Sequence, residues 1–191
     1  MVRIRRMTEG DAKRAAALEA ENFSEPWTEN AFLDTLCLDY AYYYVAEIDE
    51  TTAGKEKLEK LEKPLEREEQ PEGEDSLQRN EEKGTSGRNA HIIGICGLRL
   101  IAGEGEITNV SVDRHYRKKG IAAAMLGYVL EEGRKLGAEA FTLEVRTGNQ
   151  PAIRLYEKFG FIGEGVRKGF YKAALGRNGD DREDALIMWK R

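Results

Sequence analysis

Residues 115–126 read HYRKKGIAAAML: three cations and a glycine, then small and apolar residues. The run before them, GEITNVSVD (105–113), alternates like a strand. After them Ile121, Met125, Leu126, Val129 and Leu130 recur at helical spacing, so a helix is expected from about Lys118 to Leu136, ended by Gly137. A helix start leaves backbone N–H groups unpaired and carries about half a positive charge. Gly120 removes a side chain that would block those groups, and Ala122 stays small. Arg117, Lys118 and Lys119 add charge at the rim, where they oppose the helix dipole. Three readings stand: contact with a nucleic-acid backbone, a cradle for the diphosphate of a small molecule, or a solvated helix start.

Working outward, VRIRRM opens the chain as a strand. Thr8, with Asp11 three residues on, marks a helix running to about Asn22. FSEPW (23–27) is a turn, Thr28 starts a second helix, and YYYVAEI reads as a strand. HIIGICGLRLI and GEITNVSVD form an antiparallel pair joined through Gly103 and Gly105. Beyond the helix, AEAFTLEVR is a strand, Asn149 caps a helix to Phe159, and GFIGEGVRKGFY and EDALIMWKR supply the last strands. The order βααβ, then ββαβαββ, predicts one α/β domain over 1–191: a mixed sheet flanked by helices, with a parallel pair across the crossover helix.

Between the two blocks lies a different kind of sequence. Residues 49–90 hold 13 acidic and 8 basic side chains and so carry the whole net charge of −5, leaving the rest neutral. The segment has too few apolar residues to offset its ordering entropy and is expected to be a disordered insertion. Leu58, Leu61 and Leu65 leave a short partner-binding helix as the other reading. A neutral body argues against general nucleic-acid binding, which needs excess cations. No apolar run approaches the ~20 residues of a membrane span, and the charged N-terminus lacks a secretory h-region. A cytoplasmic protein is expected. Cys37 and Cys96 lack metal-ligand spacing and read as two buried thiols or one disulfide. No metal is expected, and His91 and His115 read as surface residues.

Arg117-Lys118-Lys119-Gly120-Ile121-Ala122 matches the acyl-CoA-binding pattern [QR]-x-x-G-x-[GA]. Together with LEVRTGNQPAIRLYEKFGF (143–161), it resembles the GNAT acetyltransferase superfamily. FSEPW, LEVR, the run from Asn149 to Phe161 and REDALIM (182–188) resemble its RimI-type N-acetyltransferases in particular. The resemblance covers the chain except 49–90 and departs at 173–180, where AALGRNGD is long. It implies the GNAT fold, with acetyl-CoA as co-substrate along the backbone of Val110, Ser111 and Val112. The diphosphate would lie on Lys118, Lys119, Gly120, Ile121, Ala122 and Ala123, and Asn149 would reach the same molecule. It further implies transfer to the N-terminal alanine of a small-subunit ribosomal protein. That acceptor would lie between loops containing Trp27, Arg167, Phe170 and Tyr171.

The chemistry can be stated from the residues. An α-amine titrates at about 7.7–8.0, so a base must take its proton before it attacks a thioester. Glu144 faces away from Leu143 and Val145 by strand alternation. It is either an outward carboxylate paired with Arg146 or, as the resemblance implies, the base. Tyr156 lies at helical spacing from Ile153 and is either a core aromatic or the implied proton donor to the departing thiolate. No histidine is placed by motif to activate Cys37 or Cys96, so direct transfer in a ternary complex is expected. A GNAT enzyme with another acceptor (a different N-terminus, a lysine or a small amine) and a non-catalytic CoA- or RNA-binding module are the competing readings. Oligomeric state is not legible.

Overall fold

Strand periodicity divides the interior into two apolar layers, one on each side of a single sheet. The computed structural model describes residues 2–49, 90–172 and 182–191. In order these form β1 (Val2–Arg6), α1 (Ala12–Asn22), α2 (Glu29–Leu36), β2 (Ala41–Asp49), β3 (Ala90–Ile101) and β4 (Glu104–Val112), then α3 (Ile121–Lys135), β5 (Ala140–Arg146), α4 (Gln150–Lys158), β6 (Ile162–Lys172) and β7 (Arg182–Lys190). The strands lie in the order β1-β2-β3-β4-β5-β7-β6. Only β4 and β5 run parallel, across α3; the other neighbours are antiparallel. This is the mixed, helix-flanked sheet expected from the sequence.

Successive strand residues face opposite sides. Tyr44, Ala46, Cys96, Leu98, Ile107, Phe141, Leu143 and Val145 pack with Met125, Leu126 and Val129 of α3 and with Ile153 and Tyr156 of α4. On the other side Tyr43, Val45, Ile92 and Ile95 pack with Ala12, Ala15 and Leu18 of α1 and Phe32 of α2. The helix starts follow their caps. Thr8 N–H and Oγ1 both donate to Asp11 Oδ2 at 2.8 Å, and Thr28 Oγ1 accepts from Ala31 N–H at 3.2 Å. Arg5 grips Asp11 with two nitrogens, at 2.7 and 2.9 Å, and Glu47 with Nε at 2.8 Å, binding β1 and β2 to the start of α1.

Three boundaries differ from expectation. The β3–β4 turn is Ala102-Gly103, with φ of 51° and 82°, and Gly105 lies inside β4. The crossover helix begins at Ile121, three residues late, because Lys118 (φ 61°) and Gly120 (φ 76°) are both left-handed. Asp49 and Ala90, counted with the insertion, are paired strand ends. The rest of that insertion, with its leucines, and the long stretch at 173–180 lie outside the described residues.

Two glycines make the closest layer contact possible. A Cβ on Gly105 would stand 2.7 Å from the Phe141 ring, and one on Gly133 of α3 would stand 2.6 Å from it. Overpacking costs about 1–3 kcal/mol, against about 1 kcal/mol gained by replacing a mid-helix glycine with alanine. Gly133→Ala is therefore expected to lower the melting temperature by a few degrees, and adding Phe141→Leu to recover part of the loss, by calorimetry.

Candidate active site

The parallel ladder between β4 and β5 covers only Glu104–Ile107 against Ala140–Leu143. At the next residue β4 carries a bulge: Gly97 pairs with Asn109 and Leu98 with Ile107, leaving Thr108 as an extra residue. A bulge bends and twists its strand, and β4 parts from β5. Asp113 N–H donates to Ile93 O at 2.8 Å, which fixes the antiparallel alternation beyond the bulge. Ser111 therefore turns its backbone to β3, while Val110 and Val112 turn theirs toward the side β5 has left. The oxygen of Val112 already accepts from Arg117 Nε at 3.2 Å and from Asn22 Nδ2 at 3.4 Å. Asn22 also bonds to Ser111 Oγ and accepts from Arg117. Of the three neighbouring cations, Arg117 is thus turned back onto the end of α1.

The turn that follows is shaped for an anion. Gly120 is the N-cap of α3, and a Cβ added there would meet nothing within 4 Å. Ala124 N–H donates to Gly120 O at 2.9 Å and is the first amide of the helix to be paired in this way. The amides of Ile121, Ala122 and Ala123 precede it and have no intrahelical acceptor. Lys118 is exposed and Lys119 partly so. Unpaired amides, a glycine approach and a parted backbone edge fit an extended thioester carrier with a diphosphate. Asn149 caps α4, its Oδ1 accepting from Ala152 N–H at 3.3 Å. A contact from Asn149 to such a molecule therefore falls to its amide nitrogen.

Glu144 lies just past the last residue of β5 that pairs with β4, while still paired to Ile187 of β7, and faces away from the α3–α4 layer. Its partner is Arg167 of β6, at 2.8 Å, and not Arg146. Burial raises the proton affinity of Glu144; the Arg167 charge opposes this and that of Glu106 adds to it. Arg146 instead ties the turn after α1 to the end of β6; the stretch holding Arg167, Phe170 and Tyr171, expected as a loop, is part of that strand. Arg146 donates to Ser24 Oγ at 2.8 Å and to Lys172 O at 2.9 Å, pairs with Glu183 at 3.1 Å and lies 4.5 Å over the Tyr171 ring. Lys172 in turn pairs with Glu25 at 2.6 Å. Tyr171 donates to Glu144 O at 2.9 Å, and its hydroxyl is pushed up to about 12, chiefly by burial. Phe170 packs at 4.9 Å from Tyr171, and Trp27 is half-buried between Phe32 (5.4 Å) and Tyr43 (5.7 Å).

Tyr156 sits in the opposite layer, edge-on to Phe161 at 5.9 Å, and burial raises its hydroxyl well above the phenol range. Cys96 and Tyr171 are both within its electrostatic reach, and Tyr171 also feels Glu144. Glu144 and Tyr156 thus lie on opposite sides of the sheet. Both cysteines are free thiols, but Cys37 is exposed, contrary to expectation, because it caps the C-terminus of α2. Cys96 is sealed in the core and its thiol pushed up to about 12 by burial, so it is a poor nucleophile. His115 is exposed and rests on Asp113 at 3.0 Å; His91 is partly covered.

One functional candidate escaped the sequence motifs. Glu19 of α1 is buried, and burial pushes its carboxyl up to about 7 against hydrogen bonds from Asn109 and the backbone N–H of Trp27. The signal was present, since Glu19 falls four residues after Ala15 on the apolar stripe of α1.

The sequence pattern of the acetyltransferase (GNAT) family matches residues 54–161. A Bacillus subtilis (strain 168) protein, provisionally named a ribosomal protein bS18-alanine N-acetyltransferase, is 28% identical over 97% of this chain and 93% of its own length. The Escherichia coli (strain K12) ribosomal protein bS18-alanine N-acetyltransferase is 33% identical over 53% of this chain and 65% of its own. The fold is shared with Arabidopsis thaliana NAA60, solved in complex with acetyl-CoA, at a TM-score of 0.71 and 17% identity over 100% of this chain and 98% of that one. Because the family match runs through the parted strands, the left-handed turn and α4, the chain belongs to the acetyltransferase (GNAT) family, which draws its acetyl group from acetyl-CoA.

Proposed function

We propose that the protein acetylates the N-terminal α-amine of a protein, an alanine of a small-subunit ribosomal protein, by direct transfer in a ternary complex. The observation that carries this reading is the place of Glu144: a partly buried carboxylate of raised proton affinity, at the point where β4 leaves β5, near where Arg146 ties the Ser24 turn to the end of β6. The names of the two relatives support the choice of acceptor.

The backbone of Val110 and Val112, the amides of Ile121, Ala122 and Ala123, and Lys118, Lys119 and Gly120 would hold acetyl-CoA, with Ser111 supporting the strand from the β3 side. When bound it supplies an acyl carbon activated by its thioester. Glu144 removes the proton from the acceptor ammonium, which ionises at about 7.7–8.0, and its raised proton affinity favours that transfer. As the new C–N bond forms, the C–S bond breaks. Tyr156, kept protonated by burial, would give its proton to the sulfur, whose thiol form has a pKa of about 8.5.

Acetyl transfer from labelled acetyl-CoA to peptides beginning with Ala, Ser or Met, and to blocked peptides with internal Lys, tests the acceptor. Transfer to the free Ala terminus is expected, and transfer confined to Lys would defeat the reading. Glu144→Gln is expected to lower kcat by about 10²-fold or more. Arg167→Gln removes the charge that favours ionised Glu144. The carboxyl then holds its proton to higher pH, so the acidic limb of kcat/KM should move up; a limb unmoved in both variants would exclude Glu144 as the base. Gly120→Ala places a side chain at a left-handed position (φ 76°), a strain of about 1–2 kcal/mol. It is expected to raise the KM for acetyl-CoA more than that for peptide.

A further inference from the structure

Glu19 has no part in the proton transfers above, yet its carboxylate is 2 % exposed and joins two elements of the acceptor face. From the loop after α1 it receives the backbone N–H of Trp27. From β4 it receives Asn109 Nδ2 at 3.0 Å. Asn109 follows the extra residue Thr108, whose hydroxyl donates to Asn109 Oδ1 at 3.0 Å and bonds to the Tyr43 hydroxyl at 2.9 Å. Gly97 makes this cluster possible, since a Cβ there would stand 2.3 Å from Thr108 Oγ1 and 2.5 Å from Tyr43.

The ring of the residue anchored through its backbone in this way, Trp27, packs between Phe32 and Tyr43 and lies against Arg99, whose guanidinium carbon is 5.7 Å from its centroid. Arg99 lines a cavity of about 440 Å³ with Ile101, Ala102, Glu104, Glu106 and Thr142. Strand register sets Arg99 beside Glu106 and Glu106 beside Thr142, on the face of Glu144 and two residues before it. Among the described residues, Arg99 Nε is the buried side-chain nitrogen without a hydrogen-bond partner. A buried donor with no acceptor in the protein is one that a substrate carbonyl can satisfy.

We infer that Glu19 is a positioning residue for the acceptor: one carboxylate fixes both the Trp27 loop and the β4 bulge, and with them the Arg99 cavity beside Glu144. This rests on the reading that the face carrying Glu144 takes the acceptor amine. The groups around it set its titration. Thr108 and Asn109 from β4 are neutral. Tyr43 from β2 feels Glu19 together with Arg99 and Cys96 from β3. Burial dominates, and the carboxyl changes state near neutral pH.

Glu19→Gln keeps the shape and removes the charge. It is expected to raise the KM for the acceptor about tenfold, the scale of one hydrogen bond to a charged group, with kcat and the KM for acetyl-CoA little changed. In a Trp189→Phe background Trp27 is the sole tryptophan. Its emission should titrate near pH 7 and lose that step in Glu19→Gln. A parallel rise in both KM values, or an unchanged acceptor KM with an intact melting temperature, would overturn the inference. Should Glu19→Gln fail to fold, Asn109→Ala must give the same acceptor-specific rise, and its absence is equally decisive. The split is between acceptor and donor, so it can be measured with whichever amine the wild type acetylates. A wild type inactive on peptide α-amines defeats only the acceptor reading above.

Discussion

Parallel hydrogen bonding between β4 and β5 ends at Ile107 and Leu143, and the unpaired Thr108 follows at once. The extra residue bends and twists β4 while its pairing with β3 continues on either side, and pairing with β5 does not resume beyond it. Everything at the candidate site lies along that opening. Val110 and Val112 present backbone to it, Glu144 is the first residue of β5 to turn its side chain across it, and the left-handed turn at Lys118 and Gly120 lies at its far end. The extra residue is held by Tyr43, Asn109 and Glu19, and Gly97 gives them room. The opening is therefore a property of packing on the α1–α2 side of the sheet as much as of the strands that part.

Burial, more than ion pairing, sets the proton affinities here. It is the leading cause of the upward shift at Glu19, Glu144, Tyr156 and Cys96 alike. Desolvation disfavours the charged form of each. For Glu19 the sign has a consequence for folding. Its carboxyl binds a proton more tightly in the folded chain than the ordinary 4.5, so the penalty is absent below about 4.5 and present once pH passes about 7.

Local rules carried the sequence reading a long way. Element order, the caps at Thr8, Thr28 and Asn149 and the facing of Glu144 all follow from nearest-neighbour chemistry, and the structure has them. What was missed depends on residues far apart in the chain. Arg146 shares a face with Glu144, but Ser24 and the Lys172 end of β6 claim it, leaving Arg167 to pair with Glu144. The late start of α3 comes from a non-glycine residue, Lys118, in the left-handed region, which no propensity suggests. Glu19 carries no motif because its partners, Asn109 and Trp27, lie on other elements.

The pairing of Asp49 with Ala90 brings the two ends of the charged segment to one rung of the β2–β3 ladder. The anchor points of residues 50–89 are thus fixed by the sheet whatever the segment contains. Doubling the length of such a connection adds only about 0.6 kcal/mol of closure entropy. The register of β2 on β3, and through it the β4–β5 opening, is thus nearly independent in closure cost of how many residues join Asp49 to Ala90.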